Sequence, residues 1–286
     1  MLDESTSPKG EYFIDAESAS ETVRLTMQDR FITEAMGGLF SERSDIATMH
    51  SILDLACGSG QWVLDVAYAY PKIEVTGVDH SHAVINYARA RAHSQGLNNA
   101  SFQVMDISKP LDFPDNSFDL VNARLIAFLA PDQWAHLLQE CMRITRPGGI
   151  VRLTENEALT NSPAMDTLFS LFYRAMKQAG QSFSPTGRTL GIIPMLSHLL
   201  QKAGFSNVQH KAHALNFSVG AEAYENLRQV THSMFVLMEP FVTNVGVSTQ
   251  EEWQRLIQQM GIEVLSDDFC ATMVLLTAWG EKAPEG

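Results

Sequence analysis

From Ser51 onward, short apolar runs alternate with stretches of helical period. Residues 52–56 read as a buried strand, 61–70 as a helix stopped by Pro71, and 74–79 as a second strand. Ser81 offers an N-cap for a helix reaching about Gln95, with Gly96 to close it. A third strand follows at 101–105, with Asp106 at its tip. A loop marked by Pro110, Pro114 and Asp115-Asn116-Ser117 then leads to a fourth strand at 118–123. Pro131 opens a helix carrying Trp134, Leu137, Leu138, Cys141 and Ile144, which ends at Arg146-Pro147-Gly148-Gly149, and 150–153 is a fifth strand. Strands and helices in strict alternation predict βαβ units, right-handed crossovers and a mostly parallel sheet.

The flanking segments follow other rules. Residues 1–14, rich in Ser, Asp, Glu, Pro and Gly, begin as a loose segment. Ser18 and Glu21 have capping-box spacing, ahead of a stripe at Val23, Met27, Phe31 and Ala35. A second set, Leu25, Ile32, Met36 and Leu39, widens the apolar arc. Such a helix must pack on its own core or on a second copy of the chain, so a homodimer through it is expected. Gly37-Gly38 ends it. Beyond Thr154, Met165, Leu168, Phe169, Phe172 and Met176 share a helical face, and 192–203 is a helix closed by Gly204. Strands are expected at 208–219 and 271–279, with helices at 221–241 and 249–260 between them. This connection of about fifty residues is long for the edge of a sheet, as lids are. The organisation expected is a helical cap at 1–48 and one domain at 49–286, with helical lid insertions at about 157–200 and 220–268.

Composition narrows the classes. The 286 residues are 45% hydrophobic and 19% charged, as in ordinary globular proteins, and can bury a sizeable core. A formal net charge of −13 and the lack of a basic run argue against nucleic acid as a partner. The closest approach to a basic run, Arg89, Arg91 and His93, reads as the wet face of a helix. Cys57, Cys141 and Cys270 are far apart and lack metal-ligand spacing, so neither a metal nor a disulfide is expected and a reducing cytoplasm fits. No signal peptide or membrane span is expected.

Ligands of open α/β sheets sit beyond the carboxyl ends of the strands. There the chain places Asp54 to Gly60, then Asp79-His80, Asp106-Ile107, Asn122-Ala123-Arg124 and Glu155-Asn156-Glu157. A glycine turn between a strand and a helix lets backbone approach a nucleotide-like ligand, and a carboxylate ending the second strand suits both hydroxyls of a ribose. A dinucleotide fingerprint wants a third glycine where Val63 stands, which weakens that reading. The segments Leu53-Asp-Leu-Ala-Cys-Gly-Ser-Gly60, Gly77-Val-Asp-His80, Val104-Met-Asp106, Phe118-Asp-Leu-Val121 and Arg146-Pro-Gly-Gly149 resemble, in order and spacing, the class I S-adenosylmethionine-dependent methyltransferases. The resemblance covers roughly residues 50–155.

The resemblance implies a Rossmann-like fold whose seven-stranded, mostly parallel sheet runs 3-2-1-4-5-7-6, with the last strand antiparallel. It also implies S-adenosylmethionine as cofactor and S-adenosylhomocysteine as product. Carried over residue by residue, backbone at Ala56, Cys57, Gly58 and Gly60 would hold the methionyl end. Asp54, which otherwise caps the turn, would support the ammonium. Asp79 would take the ribose hydroxyls. His80, otherwise a capping surface histidine, would pack on adenine. Met105, Asp106 and Ile107 would read the adenine amine and ring edge, and Asn122 would contribute backbone near the methionyl amino group. Glu155, Glu157 and His232 are the candidate bases, each with a plain structural reading beside it.

Asn122 and Arg124 depart from the Asn-Pro-Pro-Tyr pattern of amide and adenine-nitrogen methylators, which points away from nucleic-acid and protein-amide targets. Met36, Phe169, Phe172, Tyr173, Met176, Phe183, Tyr224, Met234, Phe235, Met238 and Phe241 would roof the acceptor pocket, although Met and Phe stripes also build ordinary core. Their number favours an apolar or aromatic small-molecule acceptor methylated on O, N or C. Residues 19–40 are also similar to the N-terminal helix of bacterial secondary-metabolite methyltransferases. A nicotinamide-dependent oxidoreductase and a non-catalytic binding protein of the same fold are the competing readings.

Overall fold

The structure, a computed structural model, describes residues 12–284. The loose segment expected at the start of the chain lies largely outside them. Seven strands form one sheet in the order β3-β2-β1-β4-β5-β7-β6. They are β1 (Ser51–Leu55), β2 (Glu74–Asp79), β3 (Ala100–Val104), β4 (Phe118–Arg124), β5 (Thr145–Thr160), β6 (Ser206–Asn216) and β7 (Ala271–Glu281). β1 to β5 pair in parallel, while β7 runs antiparallel to both β5 and β6. The sheet order expected from the sequence is the one found.

The helices are α1 (Ala19–Ala35), α2 (Gln61–Ala69), α3 (His82–Gln95), α4 (Pro131–Ile144), α5 (Pro163–Gln178), α6 (Leu196–Lys202), α7 (Tyr224–Asn244) and α8 (Gln250–Glu263). Local chemistry sets several of their ends. The Ser81 hydroxyl accepts from Val84 N–H at the start of α3, and Gly96 closes it in the left-handed region. One face of the sheet packs with α2 and α3 around Trp62, Val63 and Phe102. The other packs with α4 and α6 around Trp134, Leu137 and Leu200. A third apolar cluster joins α5, α7 and α8 around Phe172, Phe235 and Trp253.

Two expectations need correction. β5 does not stop at residue 153: it runs to Thr160, because β7 pairs with it from Ile150↔Glu281 to Thr160↔Ala271. Glu155 and Glu157 therefore sit within a strand and not at its tip. The capping box at α1 is not formed, since the Ser18 side chain makes no cap hydrogen bond. Glu21 instead turns inward, accepting from Arg24 Nε at 2.7 Å and from the Tyr12 hydroxyl at 2.6 Å. One side of α1 packs within its own chain, against α7, α2 and β6. Ile32 and Met36 meet Leu275 of β7, while Val23 of the other stripe stays 60% exposed.

Candidate active site

β1 and β2 end side by side, and the turn after β1 is tied to β2. Cys57 N–H donates to the Val78 carbonyl at 2.8 Å, and Gly58 N–H to Asp79 Oδ2 at 3.0 Å. Ala56, Gly58 and Gly60 all have positive φ, so the chain reverses tightly before α2. Asp79 Oδ1 accepts from Ser81 N–H at 3.0 Å, so this carboxylate holds both the turn and the start of α3. Its Oδ2 keeps a further acceptor position. His80 Nδ1 lies 3.4 Å from Asp79 Oδ1, and that contact raises the imidazole pKa.

A cavity opens over this turn. Asp54, Ala56, Cys57, Gly58, Asp79 and His80 line it from below, and Leu25, Gln28, Asp29 and Ile32 of α1 from above. Asp54 is buried, and burial pushes its pKa up to about 7 against the pull of Arg124 and a hydrogen bond from Asn122. Asp29 works in two directions. Its Oδ2 accepts from Trp62 N–H at 2.8 Å, giving the α2 N-terminus the carboxylate that Gly60 cannot, and its Oδ1 pairs with Arg124. The donor set fits a cationic nucleoside ligand: one carboxylate at the tip of β2, a second within β1, and a backbone turn between them.

A second cavity lies beyond the first. Tyr12, Gln28, Leu125 and Phe128 border both, so the two share a wall. Phe169, Phe172, Tyr173 and Met176 of α5, and Leu227, Val230, Thr231, Met234 and Met238 of α7, make the second largely apolar. Glu155 enters it as a buried carboxyl. Its Oε1 accepts from Ile126 N–H at 2.7 Å, and burial pushes its pKa up to about 8. Arg24 stands at the same cavity, held by a buried ion pair with Glu21.

The remaining expected residues sit elsewhere. His232 is exposed and lines neither cavity, because the turn of α7 points its neighbour Thr231 inward. Glu157 also lines neither. Its pKa is raised by burial, and its Oε1 is buried without a hydrogen-bond partner. Gly60 faces the sheet packing, where an added Cβ would lie 2.6 Å from Phe102 and 2.8 Å from Ala88, and its N–H is used by the Cys57 carbonyl. Asn122 is buried behind Asp54 and uses its side chain there. Met105 and Ile107 join the apolar cluster under α4. Asp106 accepts from Ser108 N–H at 2.9 Å and pairs with Lys109, outside the first cavity. Of the expected roof, Phe169, Phe172, Tyr173, Met176, Met234 and Met238 reach the second cavity; Met36, Phe183, Tyr224, Phe235 and Phe241 do not border it.

Sequence reasoning missed Tyr12, Gln28, Asp29, Leu125 and Phe128. The one available signal was Gln28 and Asp29 interrupting the apolar arc of α1.

Comparison with known proteins agrees with this geometry. A family profile described as "Methyltransferase domain" matches residues 52–149. The chain is 27% identical over 176 residues to a demethylmenaquinone methyltransferase of Listeria monocytogenes, covering 57% of this chain and 73% of that protein. The YcgJ protein of Bacillus subtilis shares the fold with a TM-score of 0.54 and 17% identity, over 88% of this chain and 99% of the other. A Haemonchus contortus phosphoethanolamine N-methyltransferase solved with S-adenosylhomocysteine gives a TM-score of 0.56 at 16% identity, over 96% of this chain and 61% of the other. The glycine turn, the carboxylates on its flanks and the sheet order agree with these likenesses: residues 52–149 match a methyltransferase domain, on a fold shared with the compared structures, and S-adenosylmethionine is the cofactor that the match supports.

Proposed function

We propose that this enzyme transfers the methyl group to oxygen, nitrogen or carbon of an apolar or aromatic small molecule seated in the second cavity. The observation that carries the reading is the shared wall: an apolar chamber adjoins the cofactor chamber across Tyr12, Gln28, Leu125 and Phe128. When bound, the cofactor supplies an electrophilic methyl group on its sulfonium. The protein's part is placement, with an acceptor atom held in line and water kept out.

Asp79 would take the ribose hydroxyls, Asp54 the ammonium, and backbone at Ala56 and Gly58 the methionyl end. His80 would flank the adenine. Glu155 would act as the general base for an acceptor with a proton to lose, since it enters the acceptor chamber one residue from the shared wall through its bond to Ile126. An acceptor with one polar group on an apolar body fits a chamber whose polar side chains are few. The demethylmenaquinone methyltransferases similar to this chain name one such acceptor to include in a panel.

The test is methyl transfer from labelled cofactor to a panel of apolar phenols, quinols, terpenoids and indoles. Turnover with members of that panel, but none with polar amines of equal size, is expected. Turnover confined to the polar amines would overturn the acceptor class. Replacing Asp79 by Ala is expected to weaken cofactor binding by tens-fold, since charge-assisted contacts to two hydroxyls are lost. Unchanged binding by calorimetry would refute the ribose assignment.

A further inference from the structure

Asp54, Asn122 and Arg152 stand side by side on three adjacent strands. Asp54 of β1 is in register with Asn122 of β4, and Asn122 with Arg152 of β5. Neighbours in register project to the same face of a sheet. All three are buried, with Arg152 only 1% exposed. Asn122 Nδ2 donates to Asp54 Oδ1 at 2.7 Å, and Arg152 Nη1 donates to Asn122 Oδ1 at 2.7 Å. Arg152 Nε closes the row by pairing with Glu42, a buried residue of the segment between α1 and β1.

A buried ion pair of this kind does little for stability compared with apolar side chains of the same volume. What the row fixes is a direction. A guanidinium has donors only, so the Asn122 amide must turn its oxygen to Arg152 and its NH2 to Asp54. The flipped amide would set its NH2 against the guanidinium and its oxygen against the carboxylate, so Arg152 and Asp54 lock the amide from both sides. Asp54 borders the first cavity, and among the described residues its Oδ2 has no hydrogen-bond partner.

We propose that Arg152 is a positioning residue for cofactor binding: through Asn122 it holds the Asp54 carboxylate as an acceptor for the ammonium at the methionyl end. Glu42 balances Arg152, so the guanidinium does not draw Asp54 away from the ligand. The inference rests on the assignment of Asp54 to the ammonium.

Calorimetry with two probes separates the two ideas. S-adenosylhomocysteine carries the ammonium, and 5′-methylthioadenosine keeps the nucleoside but lacks the amino-acid portion. In Arg152→Met, affinity for the first is expected to fall about ten-fold and that for the second to stay within about two-fold, the size of a lost contact to a charged group. The double replacement Glu42→Leu with Arg152→Met leaves no unpaired buried charge, so the comparison holds even where the single variant fails to fold. Asp54→Asn should show the same selective loss. If Asp54→Asn is selective while the double variant loses nothing, or loses both probes equally, the role of Arg152 is overturned and that of Asp54 stands. If Asp54→Asn is not selective either, both fall.

Discussion

Glu155 joins a buried carboxyl to an apolar surrounding, and as the proposed base it would make folding and catalysis answer to its proton in opposite ways. In the unfolded chain a glutamate ionises near ~4.3; in the fold burial moves Glu155 to about 8. Between those values the folded state keeps a proton that the unfolded state gives up. This contribution to stability therefore falls as pH rises through that window. Glu155→Gln keeps an acceptor for Ile126 N–H and has no proton to lose. It is expected to melt above the unaltered protein by a margin that widens, by about 5 °C, from pH 5 to pH 8. Catalysis should run the other way. As a base, Glu155 works only when ionised, so kcat should climb to a plateau with an apparent pKa near 8. The Gln variant should lose that limb and about a hundred-fold in rate. A Gln variant with an unchanged pH profile would remove Glu155 from the chemistry. Asp54 and Asp79 were legible in the sequence, because they stand on strands whose direction the local pattern gives, whereas Glu155 was expected at the tip of β5 and lies within it. Asp29 on α1 and Tyr12 ahead of it were not legible, because an isolated polar residue looks solvated until its partner is known. The partners of Asp29, Trp62 N–H and Arg124, lie 33 and 95 residues away.

At the scale of elements, the two glycines of the turn look alike in sequence and differ in the fold. Gly58 has φ +52°, and an added Cβ would meet only Leu25, at an ordinary contact distance of 3.4 Å. Gly60 has φ +73° and meets both Phe102 and Ala88 inside 3.0 Å, where α2 and α3 press on β3. Gly58→Ala should therefore cost about 1 kcal/mol, mostly backbone strain. Gly60→Ala should cost about 3 kcal/mol, strain plus overpacking, in urea unfolding at equal m-value. Equal losses would mean that the helices yield without resistance. The same contrast explains where the element reading stopped. The glycine turn, the α3 cap and the α4 opening are local signals, and they stand in the structure. The second half of β5 is not local. Residues 154–160 mix Thr, Glu, Asn and Ala and become a strand because β7, more than a hundred residues later, pairs with every one of them. His232 failed for phase: one residue off along α7, the side chain is exposed while Thr231 is at the cavity.

Across the whole molecule, α1 is the element that binds the two chambers into one device. Gln28 borders both cavities, Arg24 the second, and Leu25, Asp29 and Ile32 the first. Its hold on the body of the fold is mixed. Asp29 pairs with Arg124 and caps α2, yet Glu21 and Arg24 satisfy each other within the helix, with Tyr12 and Gln28 completing the network. Little of that network reaches the sheet, so α1 draws its anchorage from the Asp29 contacts, the Arg124 bond to Thr33, its packing on α7 and α2, and Ile32 and Met36 on Leu275. A ligand that fills the first cavity adds contacts to α1 that the free protein lacks, and binding to the folded form alone stabilises what it touches, by about 2.7 kcal/mol at a hundred times Kd. Amides of residues 19–36 should therefore exchange at least ten-fold more slowly with S-adenosylhomocysteine bound, together with those of the turn at 56–60. Asp29→Asn weakens the pair with Arg124 and should raise exchange along α1 in the free enzyme while leaving β4 and β5 protected. Protection confined to the turn, with α1 unmoved, would show that this helix is fixed scaffold and that access to the cofactor chamber runs by another route.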